Sequence, residues 1–452
     1  MEGLGDPVRS GPKLSRELTL FGLTMIAVGS SVGSGIFLTP SQVASNLSEP
    51  WLILAVWTLG GVIALTGALT FAELGALFPQ AGGVYVYLKE AYGDLAGFWY
   101  GWAYFIVISS GSMAALTLAF AYYVGFLFPM TDAQQTNVAV AAMIAATTIN
   151  IFRVTLAEKF TDTFTVLKLV GIGSIVVIGL AMGSGEINWG DGQSARSANT
   201  IGGFGLALVG VFFSYGGWHH ASYLAGEARD PQRTVPRAMV FGALIVTVTY
   251  VLANVAYLQL LPVEDMAAST SVAADAVSTV LPFGARLIAV IVAISTFGTT
   301  VIYTLSSPRI YFAMADDGLF FKPFARVHEK YRTPVVSVVF QSAWAIFLIF
   351  AWKTFEQVIT YVTFADWIFF TLAACSLFVF RSKRSETPRS YRTPGYPVVP
   401  LIFIVVSSLF ILNTLIERPM QALWASALLL SGLPIYVYFK KRQSPRTGVE
   451  EL

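Results

Sequence analysis

The sequence predicts an all-α membrane protein with twelve transmembrane helices, on the basis of its composition, its apolar segments and the placement of its basic residues. Of the 452 residues, 55% are apolar and 12% are charged, and the mean hydropathy is +0.67. Soluble domains have about 25% charged residues. Segments 240–261 and 401–415 contain no acidic or basic residue. Because a helix crosses a bilayer with about 20 apolar residues, the chain has room for many spans.

Twelve apolar segments are the predicted spans, and no soluble domain is expected beside them. They are residues 19–43, 51–77, 94–128, 136–151, 160–183, 201–225, 237–261, 284–312, 334–352, 356–380, 397–416 and 420–439. The polar stretch between the seventh and eighth spans is expected to form a short outer helix.

The basic residues orient these spans. With a cytoplasmic N-terminus, the two tails and the even-numbered loops hold 22 of the 28 Lys and Arg residues, and the outer loops hold 3. Cytoplasmic loops of membrane proteins are enriched in Lys and Arg, so both termini are predicted to be cytoplasmic in a multi-pass protein of the cell membrane. The single cysteine, Cys375, lies in an apolar run and excludes an intrachain disulfide.

Two of the predicted spans contain glycine clusters, at residues 29–37 and 213–218. A glycine inside a helix costs about 1 kcal/mol relative to alanine, so the clusters favour local unwinding. Unwound backbone at bilayer depth is tolerated where it lines a cavity or is buried in protein. Each cluster alone is also compatible with close helix packing. Interruptions at matching positions of two halves, here the first and sixth spans, indicate the binding site of a transporter.

Unwound backbone of this kind predicts recognition of an amino acid. The half-helix that begins near Gly35 has unpaired N–H groups, which suit a carboxylate. Carbonyl groups freed in the unwound segments suit an ammonium group. Together they form a receptor for a zwitterion without a charged side chain, and we expect the protein to transport such a solute.

Lys168 lies within the apolar run of the fifth span. A lysine at mid-membrane costs about 2.5–3.5 kcal/mol, so it is expected to face a polar interior, where it would replace a coupling sodium ion or carry a proton. The alternative is a lysine that extends to the headgroups.

Other chemistry finds little support in the sequence. His219 and His220 are adjacent and do not share a helix face, so a metal site is not expected. Motifs of hydrolases, zinc proteases and nucleotide-binding loops are absent, which argues against an enzyme or an ATP-driven pump. No cofactor and no nucleic-acid partner is expected.

Several motifs resemble those of the amino acid–polyamine–organocation (APC) superfamily. Gly33-Ser-Gly-Ile-Phe37 is similar to its first-helix motif, and residues 78–93 are similar to its first inner loop. Residues 213–218 with Gly226-Glu227 and 230–237 resemble its sixth helix and the following loop. Within the superfamily the chain resembles bacterial relatives of the L-type amino acid transporters.

The resemblance implies a LeuT-like fold with two inverted five-helix repeats and discontinuous helices 1 and 6. Its parts would be a cytoplasmic tail (1–18), the two repeats (19–183 and 201–380), helices 11 and 12 (397–440) and a second tail (441–452). The implied substrate-binding residues are Ser31, Gly33, Ser34, Gly35, Phe213, Ser214, Tyr215, Gly216 and Gly217. The amides of Ser34 and Gly35 would bind the carboxylate, and the carbonyls of Ser31, Phe213 and Gly216 would bind the amino group. Lys168 would tether the first span, as in sodium-independent members.

Three functions therefore stay open. The leading expectation is sodium-independent exchange or facilitated transport of neutral amino acids, because no ionisable residue is expected near the side-chain pocket. The second is transport of cationic amino acids or polyamines, with proton coupling or without it, using Asp366 or Glu73 as the counter-charge. The third is a non-transporting receptor or scaffold. The expected partners are the amino acid and the lipid bilayer. Animal L-type transporters join an ancillary glycoprotein through a cysteine in the outer loop after the third span; here that loop, 129–137, has no cysteine, so the resemblance implies no disulfide-linked ancillary subunit.

Overall fold

The described part of the chain is helical. A computed structural model describes residues 14–152, 154–183, 187, 189, 200–351 and 355–443. Most of both predicted tails, with Arg153, Arg196 and Lys353, lies outside these residues. The helices are α1 (Leu20–Ser31), α2 (Gly35–Asn46), α3 (Pro50–Leu77), α4 (Val84–Tyr92), α5 (Asp94–Ala103), α6 (Ser109–Leu127), α7 (Asp132–Phe152), α8 (Val154–Met182), α9 (Thr200–Tyr215), α10 (His220–Tyr223), α11 (Pro231–Leu260), α12 (Val263–Ala268), α13 (Val272–Ser278), α14 (Gly284–Ser306), α15 (Pro308–Asp316), α16 (Val335–Ala351), α17 (Phe355–Lys383), α18 (Val398–Glu417), α19 (Pro419–Leu430) and α20 (Leu433–Gln443).

The helices form a multi-pass membrane protein. Within the described ranges, ten segments are long and apolar enough to cross a bilayer, and Gly202–Tyr215 and Val335–Ala351 are apolar but shorter. The two shorter segments occupy the places of the sixth and ninth predicted spans, so the count of twelve stays a prediction. The most apolar window of Leu20–Asn46 is 89% buried, whereas that of Val398–Glu417 is 28% buried. The first span is therefore central, and α18 is peripheral.

Two smaller predictions differ from the structure. The single outer helix expected after the seventh span is two short helices, α12 and α13. The twelfth predicted span is divided at Gly432, between α19 and α20. A Cβ atom at Gly432 would come within 2.5 Å of the Trp102 ring, so the glycine allows the chain to pack against this indole.

The first span is interrupted where its glycine cluster predicts. Helix α1 ends at Ser31, and α2 begins at Gly35. Thr19 caps the start of α1 by accepting a hydrogen bond from Gly22 N at 3.1 Å. Between the two helices, Gly33 N donates to Ser31 O at 2.9 Å, so the chain makes a tight turn instead of continuing the helix. We call residues 29–36 the first break.

The sixth span is also interrupted. Helix α9 ends at Tyr215, and one turn of helix, α10, resumes at His220. Gly217 has φ = +125°, a backbone conformation that residues with a Cβ rarely adopt. We call residues 216–219 the second break.

The two breaks touch each other at Gly217. Ser30 Oγ donates to Gly217 O at 2.8 Å, although the two residues are 187 positions apart. A Cβ atom at Gly217 would come within 2.5 Å of Ser31 N and 2.6 Å of Ser30 C. Because real Cβ atoms do not approach backbone this closely, only glycine lets the two unwound segments meet.

Buried ion pairs join the loops at the face that the charge distribution predicts to be cytoplasmic. Glu227 accepts two hydrogen bonds from Arg309, at 2.7 and 3.1 Å, and both side chains are fully buried. Glu227 O also accepts from Leu18 N at 2.9 Å, which ties the chain before α1 to the segment after α10. Burial, reinforced by the Asp317 carboxylate, raises the pKa of Tyr85, so the phenol keeps its proton and donates to Asp317 Oδ2 at 2.8 Å.

We predict that Gly217→Ala destabilises the protein and that Gly216→Ala does not. The first substitution forces a Cβ atom against backbone at positive φ, which costs about 1–3 kcal/mol. At Gly216 the nearest atom to a new Cβ is Phe213 O at 3.4 Å, an ordinary contact. Thermal unfolding of the two variants in detergent measures the difference. Equal melting temperatures for both variants would contradict the close approach of the two breaks.

Candidate functional site

A cavity lies between the two breaks. The empty space between its lining residues is about 550 Å³, part of which is open to solvent. Its walls are formed by the first break and by the end of α9. Three further segments complete them: residues 104–116, which include the start of α6, and parts of α14 and α17. The lining residues are Ser30, Ser31, Gly33, Ser34, Gly35, Tyr104, Ile108, Ser112, Leu116, Phe212, Phe213, Gly216, Thr299, Tyr303, Val362, Thr363, Asp366 and Trp367.

Six of the nine predicted substrate-binding residues line this cavity, and three do not. The six are Ser31, Gly33, Ser34, Gly35, Phe213 and Gly216. Ser214 is turned toward α2, where its hydroxyl lies 2.9 Å from Thr39 Oγ1. Tyr215 donates to Trp57 O at 2.9 Å, and Gly217 contacts Ser30. These three residues support the second break from behind instead of facing the cavity.

The start of α2 presents unpaired N–H groups beside the cavity. In the described part of the chain, no carbonyl or side chain accepts a hydrogen bond from Ser34 N, Gly35 N or Ile36 N. Ser34 is the N-cap residue, but its side chain makes no capping hydrogen bond, and Ser34 Oγ is buried without a partner. A helix N-terminus attracts negative charge, so this end of the cavity is suited to a carboxylate.

Most carbonyl groups of the first break already have donors. Ser295 Oγ lies 3.1 Å from Val32 O and 3.0 Å from Gly33 O. Ser31 O accepts from Tyr250 OH at 2.8 Å and from Gly33 N at 2.9 Å. The carbonyl of Gly216 accepts no hydrogen bond from the described residues. Of the three carbonyls predicted to bind the amino group, Gly216 O has the free capacity that an ammonium group requires. Ser31 O has its two lone pairs engaged, and Phe213 O accepts from Gly216 N at 3.3 Å.

Lys168 stabilises the first break by hydrogen bonds and does not line the cavity. Its side chain is fully buried, and Nζ donates to Gly29 O at 2.8 Å and to Thr299 Oγ1 at 2.6 Å. Thr299 Oγ1 in turn lies 2.9 Å from both Gly29 O and Val32 O. The amine is thus held in the protein interior, and it does not extend along the helix to the headgroups.

Glycine at position 35 is required by the packing of α2 against α9. A Cβ atom at Gly35 would lie 2.8 Å from Ser214 Cα and 2.9 Å from Ser214 Cβ. The missing side chain therefore lets α2 pack against α9, and substitution would first separate these helices. At Gly33 the nearest atom to a new Cβ is Leu116 Cδ2 at 3.1 Å, in the cavity wall.

Asp366 is the main residue that sequence reasoning placed only in an alternative. It lines the cavity from α17, so the expectation of no ionisable residue near the side-chain pocket is wrong. Glu73, the other proposed counter-charge, instead forms ion pairs with Arg381 at 2.6 Å and Arg389 at 3.1 Å, and it accepts from Thr393 N. Asp366 lies one helical turn after Thr363, which also lines the cavity, so the two side chains share a face of α17.

His219 and His220 do not form a metal site. Within the described ranges, no group of three His, Cys, Asp or Glu residues could hold a metal ion. His220 Nδ1 lies 2.5 Å from Ser306 Oγ, and its Nε2 lies 3.2 Å from Tyr104 OH. His219 packs against Phe370 with a ring separation of 4.5 Å. Both rings therefore belong to the packing of the second break.

Comparison with known proteins identifies the family of the chain. The model of the amino acid permease family matches residues 18–439. The serine/threonine exchanger SteT of Bacillus subtilis (strain 168) is 33% identical over 94% of this chain and 97% of its own length. The human b(0,+)-type amino acid transporter 1 is 31% identical over 94% of this chain and 88% of its own length. The large neutral amino acids transporter small subunit 2 of Mus musculus is 31% identical over 94% of this chain and 81% of its own length. The chain belongs to the amino acid permease family, a family of membrane transporters for amino acids.

Proposed function

We propose that this protein carries amino acids across the cell membrane by alternating access, as a sodium-independent exchanger or facilitator and not as an enzyme. The observation that carries the proposal is the meeting of two helix breaks at one cavity. One break offers unpaired N–H groups and the other offers an unoccupied carbonyl. Any α-amino acid has a carboxylate and an ammonium group that match these two features.

In the proposed complex, the carboxylate binds at the N–H groups of Ser34, Gly35 and Ile36, and the amino group binds at Gly216 O. Phe213 is half-buried and lines the cavity, so it is in the position of an aromatic gate over the substrate. The side chain of the substrate then extends toward the wall formed by α6, α14 and α17. Neutral amino acids fit the main-chain part of this site as well as any others do.

We further propose two inverted repeats of five spans with two additional spans, a total of twelve. The breaks in the first and sixth spans support this arrangement, because the two repeats would then have their interruptions at matching positions. The distribution of basic residues supports cytoplasmic termini. A disulfide-linked ancillary subunit is not expected, since Cys375 is the only cysteine and lies in α17.

Lys168 supports sodium independence. Its amine donates to Gly29 O and Thr299 Oγ1, so a fixed cation lies beside the first break, in the place that we propose a coupling sodium ion would otherwise need. The relative named serine/threonine exchanger SteT supports exchange as the mode of transport.

The purified protein in liposomes tests this proposal. We expect it to exchange external labelled serine or leucine for internal unlabelled amino acid, at equal rates in sodium and in choline medium. Protein-free liposomes and liposomes without internal amino acid are the controls. A panel of the twenty amino acids without uptake or exchange of any one would refute the assignment, and uptake that requires sodium would refute the role given to Lys168.

We predict that Lys168→Met slows exchange at least about tenfold, because the loss of a charge-assisted hydrogen bond frees the first break. Folded protein should still be recovered, since methionine fills a similar volume. The matched control is Lys159→Met, at an exposed position of the same helix, which should exchange at the wild-type rate. Wild-type turnover of Lys168→Met would leave this residue without a role in transport.

A further inference from the structure

Asp366 is a carboxylate that faces the cavity without a protein partner. Its Oδ1 atom is buried and receives no hydrogen bond from the described residues. Among these residues, no Lys or Arg forms an ion pair with it. The part of the side chain that stays accessible lines the cavity, beside Thr363 and Trp367 of the same helix.

The contrast with other buried carboxylates makes this position informative. Glu227 is fully buried and pairs with Arg309, and Glu73 is buried and pairs with Arg381 and Arg389. Burying a charge is costly unless it is paired, and an ionisable residue within the membrane is first a candidate for function. Glu49 and Asp162 also have a carboxylate oxygen that is buried without a hydrogen bond, but of these three residues only Asp366 lines the cavity. Its carboxylate is therefore open to whatever enters the cavity.

The surroundings of Asp366 select among cations. Tyr104, Tyr303, Phe213 and Trp367 line the same cavity as Asp366. Aromatic faces attract organic cations. A divalent inorganic ion is usually bound by several carboxylates, whereas no group of three His, Cys, Asp or Glu residues in the described part of the chain could hold a metal ion.

We propose that Asp366 is a specificity-determining residue that binds the side-chain ammonium or guanidinium group of a cationic amino acid. This inference rests on the proposed function, because the main-chain groups of the two breaks hold the α-carboxylate and the α-amino group. Asp366 repels the α-carboxylate, so it also fixes the orientation of the substrate, with the side chain toward α17. The substrate range then includes lysine, ornithine and arginine as well as neutral amino acids.

Lysine and norleucine test the proposal, because they differ only in the ε-ammonium group. Their dissociation constants are measured by thermal shift of the purified full-length protein, for the wild type and for Asp366→Asn. We expect lysine to bind the wild type, and the substitution to weaken lysine binding about 10- to 100-fold, the effect of losing a buried charge-assisted hydrogen bond. Norleucine binding should change little. Asp132→Asn, the same chemical change at an exposed position, is the matched control and should leave both constants unchanged.

A second variant keeps the test decisive if Asp366→Asn is not recovered as folded protein. Asp366→Glu keeps the charge and moves the carboxylate one methylene into the cavity. The cationic side chain that fits best then becomes shorter, so the ratio of ornithine affinity to lysine affinity should rise severalfold. An unchanged ratio would overturn the proposal.

Three further results would overturn the proposal and leave amino acid transport intact. The wild type could bind norleucine and fail to bind lysine. Asp366→Asn could weaken lysine and norleucine equally, which would place the α-amino group at Asp366. An imposed proton gradient could drive norleucine accumulation in the wild type but not in Asp366→Asn, which would make the bound cation a proton. Failure of every amino acid to bind or exchange would instead refute the proposed function itself.

Discussion

The structure depends on how the main-chain groups of the first break are satisfied inside a membrane. Unwound backbone has no water at bilayer depth, so each freed N–H and C=O group requires a partner from protein or substrate. Here the two kinds of group are treated differently. The carbonyls of Gly29, Val32 and Gly33 receive hydrogen bonds from Lys168, Thr299 and Ser295. The N–H groups of Ser34, Gly35 and Ile36 donate to no acceptor among the described residues, so they are free to bind an anion.

This asymmetry connects packing to recognition. Ser295 and Thr299 lie one turn apart on α14, and Lys168 reaches Gly29 O from α8. Three side chains from two helices therefore hold the first break open on one side. The second break holds it on the other, through the contact of Ser30 with Gly217. A movement of α9 and α10 away from α1 has to break this contact, so the substrate site and the packing of the central helices change together.

The sequence predicted the parts of the site that follow from backbone chemistry. Glycine clusters predicted both interruptions, and an isolated lysine in an apolar run predicted an interior tether. The directions of the side chains were harder to predict. Successive residues at the end of α9 point to different sides of the helix, and a sequence motif does not show which side faces the cavity. Phe213 faces the cavity, whereas Ser214 and Tyr215 point to α2 and α3. Likewise, the reason for glycine at position 35 is the nearness of Ser214, and no pattern in the chain relates these two residues. Asp366 could be named only as an alternative, because hydropathy locates a span but not the face that meets a cavity.

The two halves of the site differ in what they recognise, and this explains how similar chains can differ in substrate. In the proposed complex, main-chain N–H and C=O groups bind the carboxylate and ammonium groups that all α-amino acids share. Substitutions of side chains change these backbone groups little. The wall of α17 and α14 reads the side chain, and each residue there is free to change. Relatives that are 31–33% identical bear names that differ in substrate, from serine and threonine to large neutral amino acids. In our proposal, a single carboxylate in the cavity wall sets the charge preference of one chain, while the amino acid backbone is bound in the same way.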